Sequence, residues 1–233
     1  MNILYIILIN IAIFVFGYII GSFNTSIILS RKMANEDVRD YHSKNAGATN
    51  SLRRYGKKFA FTVLILDMIK SVFAVGMCLI FVKFVKIEEN MYTMPLLAGV
   101  GVVVGHIYPI FFKFKGGKGV SCAIGVLIAI NPILFFVAAF FYFSIMYIFK
   151  YVSLASILTS IILIAFVAIP WISESGILAW SANPYHLIPF YYYLLAYIFV
   201  STLITYAHRS NIKRIINKSE RKIKSATKKQ KQN

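Results

Sequence analysis

The sequence predicts an all-α, polytopic membrane protein with seven transmembrane helices, its N-terminus outside and its C-terminus cytoplasmic. Three observations lead there. The chain is 59% hydrophobic and 14% charged, with mean hydropathy +0.71, more apolar surface than a soluble domain of this length can bury. Its formal net charge of +17 is concentrated in a few loops and the tail. Apolar runs of spanning length alternate with those basic loops.

Residues 2–29 read as the first span, with Gly17-x-x-x-Gly21 as a face for close helix approach. The start MNILYIILINIAIF lacks a basic leader and a small-residue cleavage site, so it reads as a retained span. A polar loop, 30–57, follows with Arg31, Lys32, Arg39, Lys44, Arg53 and Arg54 against Glu36, Asp37 and Asp40. Span two runs from about Phe59 to Val82 and contains Asp67 and Lys70, three apart on one face and able to pair. The stretch Lys83–Tyr92 balances Lys83 and Lys86 with Glu88 and Glu89, and so carries no basic bias. Span three, Pro95 to Phe112, has a second close-packing face, Gly101-x-x-x-Gly105.

Val120–Phe149 is free of charge and long enough for two short spans. Asn131-Pro132 is their natural tip, because helices usually end before the residue preceding proline. Span six covers Val152 to about Pro170, and residues 171–186, with both tryptophans and no lysine or arginine, suit an outer loop. Span seven is Leu187–Tyr206. Seven spans put the basic loops and the tail on one side, with 1–207 as the membrane domain and 208–233 as a cytoplasmic tail. Ile212, Ile215, Ile216, Ile223 and Ala226 recur at helical spacing among lysines, as in an amphipathic helix on an anionic inner leaflet followed by a disordered end. Nucleic acid is not an expected partner. Cys78 and Cys122 show neither disulfide nor metal spacing.

The stretch with most chemistry is Gly105–Cys122, GHIYPIFFKFKGGKGVSC. Lys118 and Gly116, Gly117 and Gly119 stand at the mouth of a helix, where free amides beside fixed positive charge hold anions such as phosphate. It lacks the Walker spacing; a plain interhelical turn with positive-inside lysines is the other reading. Loop one offers Ser43, Asn45, Gly47, Thr49, Asn50 and Arg53, span three ends at His106, and span seven ends at His208 with Asn211 three residues on. There is no Ser-His-Asp order, no pair of catalytic carboxylates and no metal cluster. What remains is the binding of two anionic groups side by side so that they react.

Three segments resemble the membrane-integral acyl-phosphate:glycerol-3-phosphate acyltransferases of bacteria. That family's motif Gly-Ser-Gly-Asn-x-Gly-Ala-Thr-Asn, with an Arg shortly after, is similar to His42–Asn50 and Arg53; its Gly-His-x-x-Pro segment matches Gly105–Cys122 almost throughout; its His-Arg-x-Asn-Ile-x-Arg, then Gly-x-Glu, resembles His208–Arg214 and Glu220. The run Tyr151–Ser156 is also similar. The resemblance implies seven helices with the motifs at the cytosolic face. It implies acyl transfer from acyl phosphate to the 1-hydroxyl of glycerol 3-phosphate, giving lysophosphatidic acid and phosphate, with no acyl-CoA or acyl-carrier protein used directly. A monomer with no cofactor or metal is expected. It further implies Ser43, Arg53, Lys118, His208 and Asn211 as the glycerol-3-phosphate site, the last three also catalytic. Asn45, Gly47, Thr49, Asn50, His106, Gly116, Gly117 and Gly119 would hold the acyl phosphate. Lys44 stands where the family has glycine, so a left-handed conformation there costs more; Lys218 also stands for a glycine, which leaves the role of Glu220 open; and Cys122 stands for a threonine, removing a hydroxyl from the expected phosphate site. The alternative reading is a membrane transporter of an organic or phosphate anion, which would share the helices and the basic vestibule.

Overall fold

The computed structural model describes residues 3–84, 93–174 and 190–222. Eleven α-helices occur among them, and no strand. They are α1 (Ile3–Ser22), α2 (Thr25–Ala34), α3 (Ala48–Tyr55), α4 (Lys57–Phe84), α5 (Leu96–Ile107), α6 (Val120–Ile130), α7 (Ile133–Phe149), α8 (Val152–Val167), α9 (Pro170–Glu174), α10 (Phe190–Ala207) and α11 (Arg209–Ile216). Ile3–Ala34, Lys57–Val82 and Phe190–Ala207 are long and apolar enough to cross a membrane, and four shorter apolar helices pack with them. Large apolar side chains such as Ile7, Phe73, Phe136, Phe140 and Phe199 face outward, a surface that suits lipid rather than water.

The two glycine motifs pack against each other. A Cβ on Gly17 or Gly21 would overlap the backbone of Ala98 or Val102, and one on Gly101 or Gly105 would overlap Phe14 or Tyr18. The α1 and α5 backbones therefore touch directly, as small-residue faces allow. This seats the end of α5, with His106, beside the end of α1.

The first span is shorter than its apolar run. α1 stops at Ser22, because Asn24 caps α2 by accepting from the Ile27 N–H at 3.2 Å and also donates to the Ala46 carbonyl. Nor is 30–57 an open loop. It folds as α2, a 3₁₀ turn at Val38–Asp40 and α3, closed over Ile27, Val38 and Ala46. The tip at Asn131-Pro132 forms as the sequence requires, with Asn131 Oδ1 accepting from the Ile133 N–H and its amide donating to the Ile172 carbonyl.

Of the outer loop expected at 171–186, Pro170–Glu174 is helical and 175–189 lie outside the described residues. The amphipathic helix expected in the tail ends at Ile216; Ile223 and Ala226 lie outside the described residues. Beyond α11 the chain reverses. Lys218 is left-handed at φ 54, the Ser219 and Glu220 amides donate to the Arg214 carbonyl, and Glu220 returns to the bundle.

Candidate active site

The ends of α1, α5 and α10 and the starts of α6 and α8 meet α2, α3 and α11 at one end of the bundle. Here the lysine-glycine turn is held from below. The Gly116 and Gly117 N–H groups donate to the Ile107 and His106 carbonyls at 3.1 and 2.9 Å, and the Gly116 carbonyl accepts from the Ala46 N–H. This corrects the expectation for those two glycines, since their amides are consumed by the orphan carbonyls at the end of α5. Glycine is required for closeness instead: a Cβ at either would strike His106. Gly119, left-handed at φ 80, then opens α6, leaving the first amides of that helix without intrahelical acceptors.

These amides face a cavity of about 740 Å³. Ser43, Asn45, Gly47, Thr49, Asn50, Arg53, His106, Lys118, Gly119, His208 and Asn211 all line it; Gly116 and Gly117 do not. The start of α3, capped by Gly47, opens on the same space, so two helix N-termini share it. Its charged lining is Lys44, Arg53, Lys118, Arg214 and Arg221 against Glu220 alone, an arrangement that favours anions. A second limb is lined by apolar side chains of four helices, including Met68, Leu127, Phe135 and Tyr197, with Ser156 and Thr159 of α8. Phe61 of α4 and Phe143 of α7 line that limb and are 64% and 60% exposed, so the limb is open at these two helices.

The polar wall is a connected network. Lys118 Nζ donates to Asn211 Oδ1. Asn211 Nδ2 donates to Glu220 Oε1 at 2.7 Å, which also accepts from Ser153 Oγ at 2.8 Å. Arg214 Nε donates to Glu220 Oε2 at 2.7 Å. Glu220 is thus the hub of the network. Burial alone would raise its carboxyl, but the hydrogen bonds from Arg214, Asn211 and Ser153 outweigh it and hold the group below its usual value. Burial pushes Lys118 down to about 8; Arg214 and Arg53 act the same way and Glu220 opposes them. Burial, then the charge of Arg221, also lowers Arg53, and no described residue forms an ion pair with it.

His208 is buried, and its Nδ1 lies 2.8 Å from the Ile204 carbonyl. A carbonyl only accepts, so Nδ1 carries the proton and Nε2 keeps a lone pair. Burial first, and the charge of Lys118 next, push this imidazole down to about 4, so it is neutral at pH 7.

Asn50 differs from the other predicted ligands. Its Oδ1 accepts from the Ser43 amide and hydroxyl, and its Nδ2 donates to the Val38 and Tyr41 carbonyls. All four of its hydrogen-bonding valences are committed to the loop. Cys122 is buried outside the cavity wall, so its replacement of a threonine takes no hydroxyl from that wall, contrary to expectation. Asp67 and Lys70 pair at 2.8 Å as predicted, with His106 as an additional partner that spacing did not reveal. Asp67, His106 and Cys122 bring metal-ligand atoms within 4.8 Å of one another; the Lys70 ammonium stands among them and already fills the place of a cation. Arg214 and Arg221 were not anticipated in the site, although Arg214 lies three residues from Asn211 and shares its face.

A bundle of apolar helices, with a cationic cavity at one end running into an apolar limb, defines a membrane protein with a site suited to anionic groups. Residues 11–218 match the family model described as glycerol-3-phosphate acyltransferase. The chain is 45% identical over 224 residues to the glycerol-3-phosphate acyltransferase of Mycoplasmopsis synoviae, covering 96% of this chain and 99% of that one. It is 44% identical to that of Mycoplasmopsis agalactiae, covering 95% and 97%. Among solved structures it is similar to PlsY (YgiH), an integral membrane glycerol 3-phosphate acyltransferase, in its glycerol 3-phosphate form, with a TM-score of 0.72, 32% identity and coverage of 92% and 96%. The lysophosphatidic acid form of that protein gives a TM-score of 0.71. The chain belongs to the glycerol-3-phosphate acyltransferase family. It is therefore an acyltransferase, which sets aside the transporter reading.

Proposed function

We propose that this protein transfers a fatty acyl group from acyl phosphate to the 1-hydroxyl of glycerol 3-phosphate, releasing lysophosphatidic acid and inorganic phosphate. The supporting observation is the single cavity in which two helix N-termini, Lys118 and Arg53 adjoin an apolar limb open at α4 and α7. Two phosphates fit beside the amides of α3 and α6, and the acyl chain fits in the limb. The donor is already activated, so no covalent enzyme intermediate is needed.

In this reading Arg53, Ser43 and Lys118 hold glycerol 3-phosphate. His208 Nε2 accepts the hydrogen bond of its 1-hydroxyl, with Asn211 placing Lys118 beside it. The hydroxyl oxygen attacks the acyl carbon, the bond from that carbon to the phosphate oxygen breaks, and the proton passes through His208 to the departing phosphate. Lys118 and the first amides of α6 stabilise the charge on the acyl oxygen and the leaving group. Asn45, Gly47 and Thr49 border the second phosphate, Gly119 shapes the start of α6, and Asn50 positions loop one. Seven spans with the N-terminus outside put this site on the cytoplasmic face of the cell membrane, in a monomer that needs no cofactor or metal. The motif lysines and arginines all lie at that end, as the positive-inside rule requires.

The test is turnover by purified protein given glycerol 3-phosphate with acyl phosphate and, in parallel, with acyl-CoA. Phosphate and lysophosphatidic acid should form with acyl phosphate alone. Turnover with acyl-CoA alone would overturn the donor assignment.

A further inference from the structure

We infer that His106 and His208, two of the histidines lining the site, are held in opposite tautomers, and that the buried Asp67–Lys70 pair sets His106 as an Nε2–H donor to the phosphate of the acyl donor. This rests on the function proposed above. His208 is the base-side ring, with its Nδ1–H committed to the Ile204 carbonyl. His106 presents the reverse arrangement. Its Nδ1 lies 3.2 Å from Lys70 Nζ, and an ammonium only donates, so Nδ1 supplies the lone pair and the ring proton sits on Nε2. Asp67 is farther from Nδ1, at 3.5 Å, and its Oδ1 already accepts from Lys70 and from Thr25 Oγ1, each at 2.8 Å.

The ring is fixed on every side. The Lys70 ammonium also reaches the Gly21 and Phe23 carbonyls at 3.4 and 3.5 Å, tying the ion pair to the end of α1. The Nε2 edge packs on Gly117, the residue before Lys118, where a Cβ would overlap it, and His106 forms part of the cavity wall. Nε2 has no protein partner among the described residues. The cavity thus has a base on one side and a donor on the other, and Asp67 and Lys70 are positioning residues that act through His106.

The experiment is ¹⁵N NMR of histidine-labelled full-length protein at pH 7, without substrate and then with inorganic phosphate. The chain has four histidines, so His106 is assigned by loss of its signals in His106→Gln or by elimination through His42→Gln, His186→Gln and His208→Gln. The expected spectrum shows His106 with a bare Nδ1 and a protonated Nε2 that shifts on adding phosphate, and His208 with the opposite pattern. Lys70→Met should put a proton on Nδ1 of His106. In kinetics His106→Gln, which keeps a donor, should stay within about threefold of wild type. His106→Leu should lose about 10- to 100-fold in kcat/KM for acyl phosphate, with KM for glycerol 3-phosphate unchanged. A protonated Nδ1 in the wild-type His106 ring overturns the inference, as does an unaltered kcat/KM in His106→Leu. The spectra need no turnover, so protein inactive with acyl phosphate would sink the donor assignment while the tautomers still report on Lys70.

Discussion

Two lysines stand on either side of the glycine turn, and their surroundings differ. Lys70 has a carboxylate of its own at 2.8 Å and backbone carbonyls at α1. Among the described residues Lys118 hydrogen-bonds the neutral amide of Asn211 and forms no ion pair, and its cavity holds Arg53, Arg214 and Arg221 against the one carboxylate of Glu220. A buried cation matched to an anion is part of the scaffold; a buried cation left without one is a charge kept for a ligand. The first organises the turn, and the second is the one proposed to act on substrate.

That contrast can be broken most directly at the lysines. Lys118→Met should lower kcat/KM about 10³-fold while thermal stability holds or rises, because an uncompensated charge is removed. Lys70→Met should do the reverse, costing about 3–5 kcal/mol of stability by stranding Asp67, much of it recovered in the Asp67→Asn/Lys70→Met double variant. Thermal melts and steady-state rates on the same preparations check both; equal stability losses at the two lysines would erase the distinction.

A pH profile sharpens it. The proposed mechanism needs Lys118 charged and His208 neutral, so kcat/KM should rise through about 4 and fall through about 8. Bound phosphate favours the Lys118 cation, so the alkaline limb of kcat should lie above that of kcat/KM. In Lys118→Arg, whose charge persists at all accessible pH, that limb should vanish from the residual activity.

A smaller effect is expected at the hub. Glu220→Gln leaves Arg214 without its carboxylate and loosens Asn211, and KM for glycerol 3-phosphate should rise about tenfold. The smallest concerns two departures from the family pattern. Lys44 and Lys218 both adopt φ 54, the left-handed region where the family's glycine is at ease. Lys44→Gly and Lys218→Gly should each stabilise the protein by about 0.5–1 kcal/mol, read as a raised melting temperature, with activity nearly unchanged.

Much of this site was legible in the chain, though its wiring was not. Gly116, Gly117 and Lys118 announced an anion-binding turn, yet the amides left open belong to the start of α6, because the carbonyls ending α5 claim the earlier two. Asn50 is a ligand by type and a brace by contact. Glu220 had no legible role behind a lysine that replaces glycine, and it emerged as the hub only once the chain turned back after α11.

The sequence by itself determined the apolar helices, the basic ends that gather on one side, and the residue types an anion site needs. These follow from hydropathy and charge, which add residue by residue along the chain. Only the tertiary structure decided which glycine faces meet, which lysine is neutralised and which imidazole nitrogen keeps its proton. Those outcomes depend on donors and acceptors from separate helices coming within about 3 Å of each other, a distance that spacing along one chain does not encode.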